Sequence, residues 1–158
     1  MATPSTPKTA WLDATMACVN HLCREMGFKF GKSAFIGDFL PINAIGWMAF
    51  IISGSPNAQE QNYQVRVKGT AWAGDAVILG QFEDVETALE FGGLIQDALP
   101  GKKGGEPSGA RGLDPNVKVF EATLHPELVS IRFGEGGKEQ VRWIVRQECR
   151  VVYDNTQN

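Results

Sequence analysis

The sequence predicts an α+β domain: an antiparallel or mixed sheet with two helices packed on one side and a long glycine-rich loop. Three observations predict it. Two segments repeat apolar residues at three- and four-residue steps between a capping residue and a stop signal. Several others show the two-residue alternation, or the unbroken apolar run, of strands. The elements come as helix, strand pair, helix, loop and closing strands, not as alternating βα units. The 158 residues fit a single domain spanning the whole chain, enough to bury about two-thirds of the surface the unfolded chain exposes.

Residues 1–6 are small, polar and proline-punctuated and read as a flexible arm. Thr6 can cap the first helix, and Pro7 suits its first turn because the missing N–H would be unpaired there. Leu12, Thr15, Val19, Leu22 and Met26 give residues 7–26 one apolar face, which Gly27 ends. The next stretch, to Leu40, scatters Phe28, Phe30, Phe35 and Phe39 without a period. Residues 42–53 are apolar on both parities, as in a strand covered on both faces, with a short buried helix as the rival reading. Residues 63–68 alternate Tyr63, Val65 and Val67 with Gln64, Arg66 and Lys68, so these two runs are expected to form a hairpin with a long polar tip. Residues 76–79 read as a short strand or as the lead-in to a helix.

Asp84 caps the second helix, whose inward stripe reads Val85, Ala88, Leu89, Gly92, Ile95 and Leu99. Its outer face carries Glu83, Glu86, Glu90 and Asp97, with no basic residue between Asp84 and Leu99. Residues 100–116 form a long cationic loop. A structureless connection of that length is uncommon in a compact domain and goes with function or disorder. Strands follow at 117–124, 128–133 and 138–153.

With 15 Lys plus Arg against 18 Asp plus Glu, the net charge of −3 opposes broad coating of nucleic acid or acidic membrane. Cys18, Cys23 and Cys149 have neither disulfide-framework nor zinc spacing, which fits a reducing compartment. Residues 1–8 hold no apolar signal region, and no run approaches the roughly 20 apolar residues of a membrane helix. A soluble intracellular chain, without membrane or cofactor, is expected.

Gly31, Lys32 and Ser33 imitate the end of a phosphate loop, but the position five residues earlier, where the motif requires glycine, is Met26, and a helix rather than a strand precedes the segment. His21 and His125 stand in no metal cluster and beside no nucleophile in a recognisable context, so no triad and no enzyme is expected. Lys138, Arg142, Arg146 and Arg150 share one parity of the last strand, at intervals of about 13 Å. This basic face could meet a phosphate backbone as a nucleic-acid-binding module, but a solvated sheet surface with cross-strand partners such as Glu121 is the commoner arrangement and the favoured reading. Lys102, Lys103 and Arg111 in the loop could reach the Glu83, Glu86 and Glu90 face of a neighbouring subunit, a heterologous contact that closes into a ring.

The chain resembles the tail terminator proteins of long-tailed bacteriophages through residues 9–26, the runs 47–54 and 63–70, the helix 84–99 and the strand 141–153. That resemblance implies a non-enzymatic homo-oligomer, a hexameric ring that assembles in the host cytoplasm and ends up in the virion. Its partners would be the tail tube protein below and the head–tail connector above, with nucleic acid at most as the passing genome. A related neck or tail-completion protein fits the same element order.

Overall fold

A computed structural model of the protein describes residues 7–37, 40–41, 44–53, 71–102, 114–134 and 139–154. In chain order these form α1 (Pro7–Met26), β1 (Ala34–Ile36), β2 (Trp47–Ser53), β3 (Ala71–Phe82), α2 (Val85–Ala98), β4 (Gly101–Lys102), β5 (Val117–Ala122), β6 (Glu127–Phe133) and β7 (Gln140–Asp154). The strands make one seven-stranded sheet in the order β1-β2-β3-β7-β5-β4, with β6 also paired to β7. Only the β1–β2 pair is parallel, so the sheet is mixed and the fold is α+β.

β7 is the common partner. Along one edge it pairs with β3 over twelve consecutive positions, from Trp143 opposite Phe82 to Asp154 opposite Ala71. Along its other edge two strands lie end to end, β6 against residues 140–146 and β5 against residues 149–153. Where they meet, the Thr123 amide donates to Glu148 O at 3.0 Å. The Gln147 side chain reinforces that corner. It is fully buried and donates from Nε2 to Leu124 O and to Glu148 O, both at 2.7 Å.

Both helices pack on the face carrying Met48, Phe50, Ile78, Phe82, Phe120, Val145, Cys149 and Val151. α1 contributes Ala14, Cys18, Val19 and Leu22, and α2 contributes Ala88, Phe91, Ile95 and Ala98. Most of the expected stripes face inward, Thr15, Val19 and Leu22 on α1 and Ala88, Gly92, Ile95 and the capping Leu99 on α2, but Leu12 and Leu89 are 58% and 59% exposed. Gly92 faces β7 at ordinary contact distance, since a Cβ there would lie 3.8 Å from Val145. Asp84 caps α2 as expected, accepting from the Thr87 amide at 2.7 Å, and those bonds hold its carboxyl below the usual range.

Three further expectations are corrected. The strand antiparallel to β2 is β3, a twelve-residue strand, where the sequence suggested only residues 76–79; residues 63–70 lie outside the described residues. β3 escapes notice because Ala71, Ala73, Gly74, Ala76 and Gly80 fall on both parities and erase the alternation. The loop expected at 100–116 is shortened at both ends. Gly101 and Lys102 form β4 opposite Phe120 and Val119, and Asp114 Oδ1 accepts from Asn116 N at 2.9 Å in a turn leading into β5. The last strand begins at Gln140, not at Lys138.

Candidate functional site

Alternation along β7 puts Arg142, Arg146 and Arg150 on the sheet face opposite the helices, but the structure does not make them a free basic stripe. Arg142 is 9% exposed and stays against its own strand, donating to Gln140 Oε1 at 3.1 Å and to Val141 O at 3.3 Å. Arg146 holds Glu148 at 2.9 Å and stands opposite Glu127 of β6. Arg150 is flanked in register by Asp75 of β3 and by Glu121 of β5. Every exposed arginine on this face thus has an acidic residue beside it on its own or a neighbouring strand. Lys138 lies outside the described residues.

Between Arg142 and Arg146 the same face is crossed by a mainly apolar row. Phe35 and Trp47 meet edge to face at 6.2 Å, and the row continues in register through Gln81 and Ile144 to Val129. Gln81 donates to Pro41 O at 3.0 Å, which ties the connection before β2 to this end of the sheet.

On the opposite side of the molecule, Glu83, Glu86 and Glu90 are exposed along the outer face of α2, and Asp97 continues the line. None of these carboxylates forms an ion pair among the described residues. Leu89 and Leu94 are exposed beside them, at 59% and 41%. Of the cationic residues set against this surface by sequence, Lys102 occupies the register position opposite Val119, in the edge strand that follows α2. Lys103 and Arg111 lie outside the described residues.

The glycine turn at residues 29–33 offers no cradle for phosphate. Gly31 N donates to Ala34 O at 2.8 Å, while Lys32 N, Ser33 N and Ala34 N all donate to Lys29 O at 2.9–3.2 Å. An anion site there would need those amides turned outward.

His21 has a structural task that its sequence neighbours did not disclose. Buried between the helices, it donates from Nε2 to Ala98 O at 2.8 Å, one of the carbonyls left unpaired at the end of α2. Its Nδ1 accepts from Arg24 Nη2 at 3.1 Å. Burial lowers its pKa from 6.5, and Arg24 adds to this, against the opposing pulls of the Ala98 carbonyl and Glu25. The linkage has a definite sign: above 6.5 the imidazole is neutral in both states, whereas below it the unfolded chain takes up the proton first. Thermal stability is therefore expected to fall as pH drops from 7 toward 5. His21→Gln should be less stable at pH 7 and should lose part of this slope; a variant with an undiminished slope would assign it to other groups.

Burial raises the Cys18 and Cys149 thiols, the latter to about 12, so neither is a nucleophile at neutral pH. Among the described residues no cluster of three or more His, Cys, Asp or Glu is placed to hold a metal ion. No helix among them is long and apolar enough to cross a membrane. In comparisons with protein-family models, curated proteins and solved structures, nothing matches the chain.

Proposed function

We propose that the protein is the ring-forming subunit of a tail terminator of a long-tailed bacteriophage, a structural virion component that caps the tail tube and presents a face to the head–tail connector. The observation that carries this reading is the outer face of α2, where a row of exposed carboxylates, without ion pairs among the described residues, runs beside Leu89 and Leu94. Acidic and apolar groups side by side, uncovered by any of the described residues, suit a contact with another chain. The complementary cations Lys102, Lys103 and Arg111 belong to the segment that leaves the far end of the same helix. A contact between such different surfaces is heterologous and closes by rotation. The order of helix, strands, helix, loop and closing strands supports the same reading. The nucleic-acid alternative draws less support, because the arginines it needs are buried or have acids beside them.

Solution mass and electron microscopy test the ring, with and without tail-tube ends. Reversing Lys102, Lys103 and Arg111 to glutamate is expected to abolish closure while leaving the melting curve of the subunit intact. One exposed pair is worth about 0–1 kcal/mol, but repetition around a ring multiplies it. A wild-type chain that stays monomeric with tube ends present, or a triple variant that still caps them, overturns the proposal.

A further inference from the structure

β6 is unfinished in the isolated subunit. All six residues from Glu127 to Arg132 are exposed, and among the described residues β7 is the strand's only partner, leaving the other edge of its ladder open. Leu128 is 38% exposed on one face, and Val129 and Ile131 are 48% and 43% exposed on the other. Soluble proteins blunt such edges with charges, prolines, bulges or covering elements. The opposite edge of the sheet shows that blunting. β1 is three residues long, and the N–H and C=O of Ala34 are both taken up by the turn before it, through Lys29 O and Gly31 N. β6 is seven residues long, its charges sit only near its two ends, and among the described residues no turn takes up its outward backbone groups in this way.

We infer that β6 is an interaction surface for a second copy of this chain, pairing antiparallel with the partner copy's β6 across a two-fold axis at Ser130. The charges select that direction. Glu127 near the start and Arg132 near the end are the only charged residues in the strand; in-register parallel pairing would stack each on its own kind, whereas antiparallel pairing brings the acidic end of one strand to the basic end of the other. A two-fold axis normal to the sheet also keeps residues of one parity on one face. With Ser130 opposite its own copy, Val129 lies opposite the second Ile131, and Leu128 lies opposite the aliphatic stem of the second Arg132. Both exposed β-branched residues are then covered, and no like charges meet.

Seven residues span roughly 23 Å, and a strand seam of that length covers less than the roughly 1,600 Å² of a standard interface. The association is therefore weak and concentration-dependent. It is isologous, so it does not rest on the heterologous ring contact and can fail without it.

Sedimentation of the full chain across a concentration series reads the pairing. Val129→Lys and Ile131→Glu, each alone, are expected to weaken self-association by about tenfold or more, because each puts a charge against an apolar partner. Mixed in equal amounts they should recover a mixed dimer, since one seam position becomes Lys opposite Glu and the other keeps Val opposite Ile. Ser130→Cys should form a disulfide-linked dimer on mild oxidation, whatever larger assembly the protein adopts, whereas Leu124→Cys, also exposed but off the seam, should not. Circular dichroism verifies that each variant folds. Failure of Ser130→Cys to cross-link more than Leu124→Cys, or a mixture that associates no better than its components, overturns the inference.

Discussion

Replacing Gly80 with alanine is expected to destabilise the protein by about 1–3 kcal/mol, the usual cost of overpacking a filled core. Gly80 lies near the end of β3, between Met48 of β2 and Val145 of β7, with its missing side chain facing α2. A Cβ there would sit 2.5 Å from Phe91 Cε1 and 2.8 Å from Phe82 Cε2. Neither ring can step aside freely. Phe91 packs against Phe82 at 4.9 Å and against Phe28 at 5.8 Å, and it is 3% exposed. Urea denaturation should show a lower midpoint at unchanged slope. Combining Gly80→Ala with Phe91→Leu should cost less than the sum of the two changes, because the smaller side chain vacates the space the methyl needs. Strict additivity would mean that the ring is not the obstacle.

Gln147→Glu is expected to be worse, by about 3 kcal/mol or more at pH 8. The wild-type amide donates both of its hydrogens to carbonyls at 2.7 Å, and no other orientation of the group can serve two acceptors. A carboxylate at this site would place negative oxygens against Leu124 O and Glu148 O in a fully buried position. The new acid should keep its proton in the folded state well above the normal glutamate range. Its folded pKa is then the raised one, so the defect relative to wild type should be smallest near pH 4 and should grow as pH rises. Gln147→Leu removes the donors without adding charge and should cost about 1–3 kcal/mol, independent of pH. Chemical denaturation of both variants at pH 4.5 and pH 8 separates the two cases.

Both predictions concern residues whose importance is invisible until the chain is folded, and the same divide runs through the rest of the molecule. The bounds of α1 are readable from Thr6, Pro7 and Gly27, because capping chemistry is local. Its buried face is less readable. Thr15, Val19 and Leu22 went in as their spacing suggests, but Ala14 and Cys18 went in beside them and Leu12 stayed out. β2 was legible as a run covered on both faces, but its partner was not, since pairing is settled by register between distant segments and β3 carries too many small residues to show a period. The arginine parity of β7 could be read directly. What stands beside those arginines could not, because Asp75, Glu121 and Glu127 arrive from three other strands. His21 gave no signal for the same reason: its acceptor, Ala98, is 77 positions away.

The place of β7 at the middle of the sheet has a consequence for the order of events during synthesis. The strand that joins β3 to β5 and β6 is the last of the seven in the chain, so β3, β5 and β6 each wait for it. Until residues 140–154 have left the ribosomal tunnel, the emerging chain can hold its helices and the β2–β3 pair, but not a closed core. Folding is therefore set to occur late and at one stroke, through contacts of long sequence separation that make such topologies slow. In the interval the apolar faces of β2 and β3 stand open to neighbouring nascent chains, which makes this protein a natural client for chaperones that act before release.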